Sequence, residues 1–216
     1  MVKIKICGLR RLEDIKIVNK YKPDYVGFVF AESKRKVSPS LAADLKNNLD
    51  SDIVPVGVFV DAPQDEIINL FNDKVIEVAQ LHGSESEEFI RELKEKTDNN
   101  LKIIKAIEMS KETNLNDYEH SQADFLLLDS GKGSGKTFDW RLIRKNLKKE
   151  FFLAGGLNSS NIKEAISEFD PYAVDLSSGL EADGFKDENK IKEIMEVINW
   201  IMGDTENMAA STYPKH

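Results

Sequence analysis

One cysteine in 216 residues, Cys7, excludes an internal disulfide framework. Three histidines, with no His, Cys and Asp grouping at ligand spacing, give no metal site to read. Long apolar runs are missing as well. The longest, Val54 to Val60, falls far short of the roughly 20 residues that a membrane-spanning helix needs. Basic excess is absent: 38 acidic residues against 30 basic ones leave a net charge of −8, which argues against a nucleic-acid partner gripped by its phosphates. No Pro/Gly/Ser-rich linker or shift of composition marks a second domain. The opening residues Met1-Val2-Lys3-Ile4-Lys5 alternate like a strand and lack the charged, apolar and small blocks of a secretion signal, so the expected location is the cytoplasm.

What is present is an alternation of two patterns. Eight short runs rich in Val, Ile, Leu or Phe read as strands: Val2 to Cys7, Tyr25 to Phe30, Ile53 to Val60 and Val75 to Leu81, then Leu101 to Ile107, Phe125 to Asp129, Phe151 to Ala154 and Ala173 to Leu176. Amphipathic stretches follow them. Leu12, Ile15 and Val18 form one apolar stripe, stopped by Pro23. Ser40 is read as the cap of a helix carrying Leu41 and Leu45, and Ser86 as the cap of one carrying Phe89, Ile90 and Leu93. Ile67, Ile68 and Phe71 mark another helix, and Trp140, Ile143 and Leu147 one more. Asn114 to His120 is weakly patterned and reads as a single turn. Ser159 or Ser160 opens a helix over Ile162, Ala165, Ile166 and Phe169, and the last helix runs from Ile191 through Ile201 to Gly203. Eight strand–helix units predict a single (β/α)₈ barrel over residues 1–203, with a polar, disordered tail at 204–216. An open doubly wound sheet is the alternative, but it usually has fewer strands.

Barrels of this kind carry their sites at the C-terminal ends of the strands. Those ends here are polar or glycine-rich. Cys7 ends the first run and is either a small buried hydrophobe or, as a thiolate, a general base. Asp129 ends the sixth; it is either a capping or paired carboxylate or a general acid. Arg35, in the run Ser33-Lys34-Arg35-Lys36, is either solvated or folded over the mouth to grip a carboxylate. Gln80 and His82 close the fourth run, where His82 is read as a structural or substrate-contacting group and not as a metal ligand. Gly155-Gly156 in the seventh unit, with Asp175 and then Ser178-Gly179 in the eighth, outlines an anion site in which glycines let backbone N–H groups approach a phosphate. The segment Ser130 to Thr137 nearly spells a nucleotide-binding P-loop, but Ser130 stands where its first glycine is required; a glycine-rich lid is the plainer reading. Other phosphosugar enzymes on this fold would need a lysine or metal ligands at the strand ends, and only Lys105 comes near. A non-catalytic phosphate-binding module would not need Cys7 and Asp129 together.

At these residues the sequence resembles the phosphoribosylanthranilate isomerase family. The resemblance lies in Lys3-Ile4-Lys5-Ile6-Cys7-Gly8, Gly27-Phe28-Val29-Phe30 with Ser33-Lys34-Arg35, and Val56 to Val60. It continues in Gln80-Leu81-His82-Gly83, Leu128-Asp129, Gly133-Ser134-Gly135 and Phe138-Asp139-Trp140. Leu153 to Asn158 and Ala173 to Glu181 complete it, in family order from residue 3 to about residue 200. It implies a (β/α)₈ barrel without metal or organic cofactor, acting on a small phosphosugar–anthranilate substrate by an Amadori rearrangement in tryptophan biosynthesis. It also implies Cys7 as general base, Asp129 as general acid and Arg35 on the anthranilate carboxylate. Gly155, Gly156, Ser178 and Gly179 would hold the phosphate; Gln80, His82 and Asp175 are further substrate contacts. A monomer is expected. Lys132 departs from the family pattern, standing where many members carry another glycine.

Overall fold

The structure is a computed structural model and describes residues 1–130, 139–143 and 147–211, the last of these by backbone alone at Met202 and 204–211. Eight parallel strands close in sequence order: β1 (Lys3–Cys7), β2 (Tyr25–Val29), β3 (Val54–Phe59), β4 (Val78–Leu81), β5 (Lys102–Glu108), β6 (Phe125–Asp129), β7 (Phe151–Leu153) and β8 (Ala173–Leu176). β8 pairs back onto β1, with Lys5 opposite Asp175. Closure leaves the eight-stranded sheet no open edge.

Period-two alternation sorts each strand into two faces. Ile4, Ile6, Val26, Phe28, Leu126 and Leu128 point outward into the large core between barrel and helices. Val56, Val78, Ile104, Leu127 and Phe152 point inward and fill the barrel itself. Its N-terminal end is plugged by aromatic rings. Tyr25 meets Phe152 edge-on at 5.5 Å, Phe125 stacks on Tyr172 at 4.7 Å, and the two tyrosine hydroxyls lie 2.8 Å apart. Toward the C-terminal end the inward cluster thins to Cys7, Val29 and Val58.

The outer layer is α1 (Leu12–Tyr21), α2 (Pro39–Asn47), α3 (Gln64–Asn72), α4 (Glu87–Lys96), α5 (Ile162–Phe169) and α6 (Glu188–Ser211). Several boundaries differ from those read off the sequence. α2 is capped by Ser38, not Ser40: the Ser38 hydroxyl accepts the Leu41 N–H at 3.1 Å, and Pro39 takes the first helical position, where its missing N–H costs nothing. Ser86 caps α4 by accepting the Phe89 N–H at 3.2 Å, as expected. α5 begins after Asn161, past both serines proposed for it. Val75 and Ile76 precede β4, because their N–H groups go to the Leu70 carbonyl at the end of α3. After β5 the turn is a 3₁₀ helix, Leu115–Tyr118. After β6 another, Trp140–Leu142, stands where a longer helix was expected; residues 144–146 lie outside the described residues. α6 runs past Gly203 to Ser211, into the segment expected to be tail. A glycine inside a helix costs about 1 kcal/mol, too little to end one. Among the described residues no helix is long and apolar enough to cross a membrane.

Candidate active site

Cys7 ends β1 on the inward phase and is 8% exposed, with a free thiol. Its sulfur leans over Gly27, the paired residue on β2, where a side chain would come within 2.6 Å of it. One layer below, on the same face, Lys5 is fully buried and its ammonium meets Asp175 at 2.9 Å. Burial pushes the Cys7 thiol up. The nearby Lys5 ammonium pulls it down, Asp175 adds to the rise, and Lys186 opposes it; the balance is raised. Burial acts against the charge on Lys5 too, but Asp175 and Cys7 outweigh it and keep the ammonium protonated. Asp175, expected to face substrate, is thus held by Lys5.

A hairpin closes over this corner. After β8 the chain makes a 3₁₀ turn, Ser178–Leu180, and then β9 (Glu181–Ala182) and β10 (Phe185–Lys186). Asp183 and Gly184 between them both have positive φ, the two-residue turn that suits a twisted hairpin. Arg10 and Arg11 lie 4.2 and 4.0 Å over the Phe185 ring and tie the hairpin to the loop after β1. Arg35 crosses Gly8, where a Cβ would come within 2.4 Å of its Cδ. Its guanidinium meets Glu181 through two hydrogen bonds, Nε to Oε1 at 2.6 Å and Nη2 to Oε2 at 2.9 Å. The fork expected to grip a substrate carboxylate is therefore braced by a carboxylate of the chain itself. Lys186, only 4% exposed, donates to Glu181 Oε1 and to the Ser177 carbonyl, both at 3.0 Å. Burial depresses its pKa despite Glu181.

Asp129 ends β6 in phase with the inward Phe125 and Leu127 and is 8% exposed. On β4 the same phase carries Val78, Gln80 and His82. His82 Nε2 lies 3.5 Å from Asp129 Oδ2, and Gln80 Nε2 lies 3.0 Å from His82 Nδ1. Lys105 falls on the other phase of β5. It points outward and pairs with Glu85 at 2.9 Å, also donating to the Gly83 carbonyl at 2.7 Å. A carbonyl-capturing lysine inside the barrel is not available at that position.

The loops after β7 and β8 meet closely. Gly155 and Gly156 have φ of +86° and +66°. A Cβ on Gly179 would lie 2.3 Å from the Leu157 carbonyl oxygen, so only glycine lets the two loops touch. Asn158 and Asn161 both donate to the Gly156 carbonyl at 3.1 Å, which fixes that peptide. Two glycine-bearing loops in such close contact can bring backbone N–H groups up to an anion. Beyond Ser130, the near P-loop, the lid and Lys132 fall within 131–138, outside the described residues. Among the described residues, no group of three or more His, Cys, Asp or Glu side chains could hold a metal ion.

Lys5, Glu181 and Lys186 were not picked out as site residues from sequence. Lys5 was legible: it alternates with Cys7 and must share its face. Lys186 gave no such signal, since its place depends on a hairpin far from Cys7 in the chain.

The comparisons agree with one another. A family model described as N-(5'phosphoribosyl)anthranilate (PRA) isomerase matches residues 4–197. An N-(5'-phosphoribosyl)anthranilate isomerase of Endomicrobium trichonymphae is 47% identical over 204 residues, covering 92% of this chain and 98% of that protein. The phosphoribosyl anthranilate isomerase of Thermotoga maritima superposes with a TM-score of 0.83 at 36% identity, over 93% of this chain and 100% of that one. A solved complex of such an isomerase with reduced 1-(o-carboxyphenylamino)-1-deoxyribulose 5-phosphate gives 0.81 at 35% identity, with the same coverage. A match over nearly the whole barrel, both in sequence and in backbone, makes this chain a member of the N-(5'-phosphoribosyl)anthranilate isomerase family.

Proposed function

We propose that the chain converts N-(5-phosphoribosyl)anthranilate to 1-(2-carboxyphenylamino)-1-deoxyribulose 5-phosphate, an aldose-to-ketose isomerisation of tryptophan biosynthesis. Asp129 is the general acid and Cys7 the general base. The observation that carries these roles is their placement: both end inward phases at the same end of one closed barrel, on strands three steps apart around it.

The steps balance. Asp129 gives its proton to the ribose ring oxygen, and the C1–O bond breaks as the anthranilate nitrogen's electron pair forms the C=N⁺ bond. The Cys7 thiolate takes the C2 proton, and that electron pair forms an enolamine while neutralising the nitrogen. Return of a proton to C1 and loss of the C2 hydroxyl proton give the ketone. No electron leaves or enters, so the reaction as written needs no redox cofactor. The raised thiol means that the reactive thiolate fraction grows with pH, and Lys5 and Lys186 are the charges that restrain the rise.

Arg35, braced by Glu181, offers its remaining N–H groups to the anthranilate carboxylate. Gly155, Gly156, Ser178 and Gly179 cradle the phosphate, and His82 borders the sugar, with Gln80 buried behind it and Asp175 held by Lys5 beneath Cys7. A free catalytic thiol works in a reducing compartment, which supports a cytoplasmic setting. The corresponding reading for assembly is a monomer, with no nucleic-acid or membrane partner.

The test is the fluorescence of phosphoribosylanthranilate, consumed on turnover. Cys7→Ser and Asp129→Asn are each expected to lower kcat by about 10²–10⁴-fold. Wild-type turnover in either variant would remove that residue from the mechanism.

A further inference from the structure

Gln80, His82 and Asp129 form a chain of polar side chains across the inner faces of β4 and β6. Gln80 is 2% exposed, its Nε2 lies 3.0 Å from His82 Nδ1, and its Oε1 has no hydrogen-bond partner among the described residues. An amide nitrogen only donates, so Nδ1 must be the accepting, bare nitrogen of the ring. A neutral imidazole then carries its proton on Nε2. The reverse amide orientation would leave the NH₂ group as the orphan, and a bare buried N–H is harder to sustain than a bare carbonyl.

We infer that Gln80 is a positioning residue that fixes His82 as its Nε2–H tautomer, with that N–H directed at Asp129 Oδ2. The inference rests on the reading of Asp129 as general acid. Once Asp129 has given up its proton it becomes a carboxylate in a buried place, and such a charge needs donors. The Nε2–H is one, held ready before the reaction starts. Its 3.5 Å separation is long, and catalytic hydrogen bonds tighten when substrate completes a site. The contact therefore gains strength as proton transfer proceeds, which is the condition for lowering a barrier. The opposite tautomer would aim a lone pair at the same oxygen and resist the negative charge.

The chain has three histidines, His82, His120 and His216, so isotope-edited NMR of the imidazole nitrogens is simple to assign, with His82→Asn identifying the signal by its loss. In the ligand-free enzyme, at a pH where His82 is neutral, its Nδ1 is expected to show as bare and its Nε2 as protonated. In Gln80→Glu the carboxylate can only accept, so the proton moves to Nδ1. Turnover is expected to fall about tenfold or more, with KM held within about twofold. Gln80→Met, apolar and of similar length, should give a mixture of tautomers and an intermediate kcat. A proton on Nδ1 in the unmodified enzyme, or a tautomer insensitive to both substitutions, would overturn the inference. Wild-type turnover in Asp129→Asn would instead overturn the acid role, with the His82 tautomer unaffected.

Discussion

Two buried ion pairs on the barrel look alike by every local measure. Lys5–Asp175 and Lys105–Glu85 both span 2.9 Å, and no side chain in either is more than 9% exposed. The difference is strand phase. Lys5 is in step with Cys7 and sits inside the barrel beneath the thiol. Lys105 is in step with Ile103 and Ile107, which face the helices. There it joins Glu85, which also accepts the Asp61 N–H at 2.8 Å and the Gly83 N–H at 3.0 Å, and so ties together the loops after β3 and β4. One residue of register separates a charge that acts on the Cys7 thiol from one that pins two loops.

The sharpest way to break the comparison is to remove each lysine. Lys5→Met strands Asp175, and a buried charge left without its partner costs about 3–5 kcal/mol. The same change takes the cation away from Cys7, so kcat in the folded fraction is expected to drop about tenfold or more. The double change Lys5→Met with Asp175→Leu should recover most of the stability in a denaturant titration and none of the turnover, since a well-packed apolar pair can replace a buried ion pair.

Lys105→Met comes next. It should lower stability by a similar amount, about 3–5 kcal/mol, while kcat of the folded enzyme stays within about twofold. Equal losses of kcat in the two lysine variants would erase the distinction drawn from strand phase.

The smallest effect belongs to a third pair, Arg35–Glu181, at the mouth. Burial works against the Glu181 charge, but Arg35 and Lys186 hold its pKa below the usual 4.5. A carboxylate depressed in the folded state adds stability above its unfolded pKa, and that stability is lost as pH falls through the folded value. Thermal melts of wild type and Glu181→Gln should therefore differ by a constant amount, on the order of 1 kcal/mol, above pH 4.5, and converge below it.

Much of this was legible from sequence because it depends on local periodicity. All eight strands were readable, since a strand buried on both faces is a short apolar run whatever surrounds it. Cys7 and Asp129 could be placed at strand ends by counting. The misreadings have local causes of their own. Ser40 competed with Ser38 as a cap, and Pro39 in the first turn is the cue that decides between them. Asp183-Gly184 is a hairpin signal too short and too isolated to stand out beside the long strand–helix alternation. Other features depend on contacts that no window of sequence contains. That Arg35 would be occupied by Glu181, 146 residues away, follows only from closing β8 onto β1. Lys186 comes to act on the Cys7 thiol through its charge for the same reason.

The aromatic packing of Tyr25, Phe125, Phe152 and Tyr172 has a kinetic corollary. A ring of staves sealed at its base is a cup, not a tunnel. Whatever is made inside must leave through the rim by which its precursor came in. Product and incoming substrate share one doorway, so each product must clear the rim before the next substrate can enter.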